Sequence, residues 1–139
     1  MVDTATQPRV NGILETSLYV KSVPESVAFY KRIFGFELLQ PSQEQLAEFT
    51  RLAALGAGDR HILLLFRRGG TRDTDARGRI HVAFGISRES LNEWENWLQF
   101  QQIVIEQHVV WEYGGESLYF RDPDGHLLEV ASPGIWPTY

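Results

Sequence analysis

Residues Ser117–Gly134 read SLYFRDPDGHLLEVASPG. Two β-like runs, about Glu116–Arg121 and His126–Ala131, flank an Asp-Pro-Asp-Gly turn, the residue types that reverse a chain between strands. From Leu127 on, the second run is apolar except for Glu129. Leu128 and Val130 share one face of such a strand, and Leu127, Glu129 and Ala131 take the other. An ionised carboxylate in that setting is costly unless it is paired or binds a metal.

Working outward, the chain carries one pattern twice. Residues 13–20 (ILETSLYV) alternate, with Glu15, Ser17 and Tyr19 on one face and Leu14, Thr16, Leu18 and Val20 on the other. Ser22-Val-Pro-Glu25 forms a capping box, Val27, Tyr30, Ile33 and Phe34 make a helical apolar stripe, and Gly35 suits the C-cap. Strands are expected at Phe36–Leu39, about Glu48–Leu52, and His61–Phe66. The order then repeats. Ile80–Ile86 alternates, with His81, Ala83 and Gly85 on one face. Ser87 or Ser90 caps a helix carrying Leu91, Trp94 and Trp97/Leu98, and strands follow at Ile103–His108, Glu116–Arg121 and His126–Ala131. Each half reads β-α-β-β-β. The predicted fold class is α+β, two βαβββ modules forming cupped, mostly antiparallel four-stranded sheets.

The expected organisation is an N-terminal tail (1–12) and a single domain (13–132), followed by a C-terminal tail (133–139). Within the domain lie module one (13–66), a polar Gly-rich linker (67–79) and module two (80–132). The basic pairs Arg67-Arg68 and Arg77/Arg79 fall in that linker and read as solvated. At 139 residues the chain suits one domain burying roughly two-thirds of its unfolded surface.

A net charge of −5 lacks the basic footprint of a nucleic-acid binder. No apolar run nears the roughly 20 residues that span a bilayer, and the polar start lacks a signal-peptide core, so a cytoplasmic location is expected. With no cysteine there is neither a thiolate nucleophile nor a thiolate metal ligand.

Glu15 and His81 head the small or polar faces of equivalent strands, and Glu129 lies on the matching phase of the last one. Singly, a strand glutamate is usually solvated and a strand histidine usually hydrogen-bonded in place. Their shared phase points to one site. Two carboxylates and an imidazole suit a divalent Mn, Fe, Co, Ni or Zn ion and leave positions open for a small-molecule substrate. His61 is a reserve ligand. Ser117, Tyr119 and Arg121 share a strand face suited to orienting substrate, and Trp111, in a loop with Tyr113 and Gly114-Gly115, suits an aromatic rim.

At these residues the chain resembles the vicinal oxygen chelate superfamily, which includes glyoxalase I, bleomycin-resistance proteins, extradiol dioxygenases and fosfomycin-resistance thiol transferases. LYVKSVPESVAFYKRIFGFELL, RIHVAF and YFRDPDGHLLEV carry the resemblance over about residues 13–132. It implies a homodimer and a metal on Glu15, His81 and Glu129. By the same resemblance the chemistry is glyoxalase-like (lyase or isomerase), with the ion chelating vicinal oxygens to stabilise an enediolate or alkoxide. Glu129 is then the first catalytic base, with Glu15 opposite. A thiol cosubstrate is compatible. Leu64 (or Leu63) stands where glyoxalase I has a further Glu. Tyr119 matches a cavity-lining residue of the fosfomycin enzymes, yet no Lys or Arg follows Arg121, which disfavours fosfomycin transfer. One His and two Glu disfavour an extradiol dioxygenase. The alternative is a bleomycin-resistance-type protein that sequesters a small ligand without chemistry.

Overall fold

The computed structural model describes residues 7–9, 11–69 and 80–139. Most of the predicted N-terminal tail and residues 70–79 of the predicted linker, with Arg77 and Arg79, lie outside the described residues.

The elements run β1 (Glu15–Val20), α1 (Val23–Phe34), β2 (Glu37–Gln40), β3 (Leu52–Gly56) and β4 (Ile62–Arg67), then β5 (His81–Gly85), α2 (Leu91–Phe100), β6 (Gln107–Val110), β7 (Glu116–Arg121) and β8 (Leu127–Ala131). Strand order is β1-β4-β3-β2 in one sheet and β5-β8-β7-β6 in the other. In each, the first strand lies parallel to the last, and the remaining neighbours are antiparallel. The two βαβββ modules are therefore real and topologically identical.

Register settles the equivalences between them. Glu15 pairs with Ile62 and His81 with Leu127, while Ser17 pairs with Leu64 and Ala83 with Glu129. Leu64, not Leu63, is thus the counterpart of Glu129. Leu63 points into the core, as Leu128 does in the second module.

Helix α1 begins as its sequence dictates. The Ser22 hydroxyl accepts from the Glu25 N–H (3.3 Å), and Gly35 closes the helix in the left-handed region at φ 70°. Ser22→Ala is expected to cost about 1 kcal/mol, seen as a melting temperature lower by roughly 3–4 °C. An unchanged melting curve would show that the cap contributes nothing.

Helix α2 starts differently from the expectation. A short 3₁₀ turn, Arg88–Ser90, leads into it, and neither Ser87 nor Ser90 caps it through a side chain. The Ser90 hydroxyl instead donates to the Ser87 carbonyl (2.8 Å).

Two strands are displaced from their predicted spans. The third lies at Leu52–Gly56 rather than near Glu48–Leu52. Pairing beside β4 buries Ala53, Ala54 and Leu55, whereas Glu48 and Phe49 sit in an exposed turn tied by Ser42 and Thr50 hydroxyls. The sixth starts at Gln107 rather than Ile103, because Ile103 and Ile105 turn onto the core before ladder pairing with β7 begins. Arg67, placed in the linker by sequence, ends β4 with its guanidinium 4.9 Å from the Phe49 ring centre.

One core serves both modules. Phe34 at the end of α1 packs on Phe84, Trp94 and Phe120 of the second module, and the Trp97 indole N–H donates to the Ile33 carbonyl (2.8 Å). Beneath them Leu18, Val20, Leu65, Leu118, Phe120, Leu128 and Val130 are fully buried. Both sheets turn their bulky apolar faces inward onto the helices. The faces carrying Glu15 and His81 consequently look outward on the single chain.

Candidate metal centre

Glu129 sits at the middle of β8, flanked in register by Ala83 on β5 and Tyr119 on β7. It is only 6% exposed, on the outward face of the sheet, and its carboxylate is surrounded by donors. His81 Nε2 lies 2.8 Å from Oε1, and the Ser117 hydroxyl donates to Oε2 at 2.5 Å. The Trp111 indole N–H in turn donates to the Ser117 oxygen at 2.8 Å. Tyr119 stands beside the pair, its ring 5.9 Å from that of His81. Partial burial and the neighbouring Glu129 carboxylate push the Tyr119 hydroxyl above its ordinary value, so at neutral pH it stays protonated as a donor.

The strand phase that singled out Glu129 and His81 therefore brings them together. They come from neighbouring parallel strands, one pleat apart in register, and their side chains lean toward each other. Glu15 does not join them within the chain. It heads β1 in the other sheet, exposed, and among the described residues no group of three or more His, Asp or Glu side chains converges on a metal-sized space. His61, the reserve ligand, is exposed, with Nδ1 3.2 Å from the Ile13 carbonyl.

Of the four predicted substrate-facing residues, Ser117, Tyr119 and Trp111 gather around Glu129. Arg121 is engaged elsewhere: its guanidinium donates to Glu106 (2.9 Å) and to the Gly125 carbonyl (3.1 Å).

A divalent ion imposes its own spacing on the atoms that hold it. Adjacent ligand atoms around a first-row cation with bonds of about 2.1 Å lie roughly 3.0–3.4 Å apart. His81 Nε2 and Glu129 Oε1 are 2.8 Å apart, and the half-exposed His81 ring is free to open the gap by a few tenths of an ångström. Glu129 is further held through its second oxygen, the kind of outer support that metal-binding carboxylates use. The pair fits two adjacent positions of such an ion and leaves the solvent side open.

Two features escape the sequence pattern. The segment after Ser132 folds back onto the sheet. The Tyr139 hydroxyl reaches the Ala131 and Ile86 carbonyls (2.8 and 3.2 Å) and covers Gly85, where an added Cβ would come within 2.6 Å of it. Gly85 faces the same side as His81 and Ala83, so Tyr139 walls one end of that face. The second is Asp122, first residue of the DPDG turn. Its buried carboxylate accepts from the Tyr30 hydroxyl and His126 Nδ1 (both 2.7 Å) and from the Asp124 and His126 N–H groups (both 2.9 Å). An Asp opening a turn, with a His four residues on, was the available signal.

Known proteins are similar to this chain in sequence and in fold. The chain is 32% identical over 123 residues to the metallothiol transferase FosB of Shouchella clausii (strain KSM-K16), covering 87% of this chain and 80% of that protein. It is 27% identical over 127 residues to FosB of Staphylococcus haemolyticus (strain JCSC1435), covering 91% and 86%. The crystal structure of lactoylglutathione lyase from Agrobacterium tumefaciens superposes with a TM-score of 0.80 at 27% identity, over 94% of this chain and 99% of that one. The family model for the Glyoxalase/Bleomycin resistance protein/Dioxygenase superfamily matches residues 12–130. With the twofold βαβββ topology and the closing DPDGHLLEV strand already in place, the chain belongs to that superfamily.

Proposed function

We propose that this protein is a divalent-metal-dependent enzyme with glyoxalase-like lyase or isomerase chemistry on a small substrate bearing neighbouring oxygens. The observation that carries the proposal is the His81–Glu129 edge, two metal-type atoms 2.8 Å apart on the open face of β5 and β8. A protein that only sequestered a ligand would gain nothing from a buried carboxylate there. His81, Glu129 and Glu15 are the residues that would hold the ion, whose contribution is Lewis-acid polarisation of the substrate oxygens. The chain's own groups supply the rest. The protonated Tyr119 donates to a substrate oxygen, Glu129 or Glu15 holds a proton removed beside a carbonyl, and Trp111 and Tyr139 narrow the approach.

Thiol transfer to a small electrophile is the second reading, favoured by the two metallothiol transferases that align over most of the chain. Reconstitution with Mn, Co, Ni or Zn followed by turnover of a hemithioacetal, or of an epoxide with a free thiol, separates the two. Failure of wild-type protein to bind any of these ions would sink both.

The outward position of Glu15 bears on assembly. Glu15 and His81 occupy equivalent register positions on separate outward faces, so a twofold partner can bring Glu15 of a second copy to His81 and Glu129. Mixing Glu15→Gln with Glu129→Gln protein should then restore metal binding, because each mixed dimer contains one intact site. Sites confined to single chains would show no complementation.

A further inference from the structure

The hydrogen bonds behind Glu129 have a direction imposed by their outermost member. An indole N–H is a donor and never an acceptor, so the Ser117 oxygen must accept from Trp111. Ser117 is fully buried, and its single hydroxyl proton points to Glu129 Oε2 at 2.5 Å. Oε2 is thereby occupied as an acceptor, and Oε1 remains the oxygen turned toward His81. Trp111 is itself held in place. Its backbone N–H donates to the Gly115 carbonyl (2.8 Å), its carbonyl accepts from the Gly114 N–H (3.0 Å), and the Gly115 N–H donates to the Gly134 carbonyl (3.2 Å). At Gly115 a side chain is excluded, since a Cβ would lie 2.7 Å from the Gly134 backbone.

We propose that Trp111 is a positioning residue. Acting through Ser117, its indole N–H fixes one oxygen of Glu129 and so presents the other, Oε1, to the space it shares with His81. The loop 111–115 and the segment that folds back at Gly134 together set the orientation of that carboxylate from behind, while Trp111 itself stays partly exposed. Trp111 thus joins the rim of the site to its most buried charged group. The metal-affinity part of this proposal rests on the reading of His81 and Glu129 as ligands. The relay itself does not.

The test uses the metal-free full chain, ¹⁵N-labelled, and follows the indole N–H resonances of its four tryptophans. Trp111→Phe identifies the Trp111 signal, and Trp97, whose indole is bonded to Ile33 instead, is the internal control. Glu129→Gln replaces a charged acceptor by a neutral one and weakens the chain of bonds, so the Trp111 resonance is expected to move upfield. The same substitution in a Ser117→Ala background should leave it in place, with Trp97 unmoved throughout. A Trp111 signal that ignores Glu129→Gln, or responds equally without Ser117, overturns the relay. In calorimetric titration with Zn²⁺, Trp111→Phe should bind about 10- to 100-fold more weakly at an unchanged melting temperature. Undiminished affinity in a chain whose wild type binds Zn²⁺ overturns the positioning role. If wild type binds no Zn²⁺, the ligand reading falls and the metal-free spectra still decide the relay.

Discussion

Glu129→Gln is expected to fold and to lose stoichiometric binding of divalent ions, with affinity down by at least about 100-fold, since even supporting residues typically contribute 10- to 100-fold. The substitution is isosteric. Its amide oxygen can still accept from Ser117, so packing against Ala83 and Tyr119 should survive. What disappears is the negative charge, and the nitrogen that replaces Oε1 turns N–H groups toward His81, where a cation requires a lone pair. Calorimetric titration with Zn²⁺ or Mn²⁺ beside a thermal melt reads both quantities. If Glu129 served only as a hydrogen-bonded partner of His81, the melt would shift and wild-type metal affinity would be lacking or unaltered by the change. His81→Ala should repeat the loss of affinity with little effect on folding, because His81 is half-exposed and lies outside the apolar core.

The second large effect belongs to stability. Asp122→Ala is expected to destabilise the protein by about 3–5 kcal/mol, the usual result of removing one partner from a buried charged network. For a chain of this size that lowers the melting temperature by roughly 10 °C or more. Four donors converge on the carboxylate, and all are left facing an apolar gap when it is removed. Tyr30 comes from the first module and His126 from the second, so the substitution also cuts a polar tie between modules.

The same carboxylate makes stability pH-dependent. Burial alone would raise the Asp122 carboxyl, but the hydrogen bonds from His126 and Tyr30 and the electrostatic attraction to His126 together outweigh it and hold the group below its ordinary value. A depressed folded-state value contributes stability that is present above the unfolded value, near 4, and disappears as pH falls through the folded value. Wild-type melting temperature should therefore drop below about pH 4, more steeply than that of Asp122→Asn. Parallel acid profiles would show that Asp122 carries no part of it.

Much of this molecule is legible in its amino-acid order because period-two alternation is local. ILETSLYV and RIHVAFGI announce which side chains share a face, and the two-copy pattern announces the topology. Hence the strands and phases of Glu15, His81 and Glu129 can be read from alternation alone. Boundaries were less secure where apolar residues served two purposes. Ile103 and Ile105 pack on the core without joining a ladder, and the strand expected around Phe49 moved to Ala53–Leu55, where β4 could bury it.

Contacts between distant segments left no such trace. Nothing local to Trp111 indicates that its indole seeks Ser117, nor that the chain after Ser132 returns to press Tyr139 on Gly85.

By itself, then, the sequence determined the two βαβββ modules, the strand phases and the family motifs, because these follow from spacing along one chain. Only the tertiary structure decided which faces meet. The aromatic cluster of Phe34, Phe84, Trp94 and Phe120 draws the helix-bearing faces together, since that union removes their apolar surface from water. It leaves Glu129 paired with His81 and sets Glu15 apart on the other sheet.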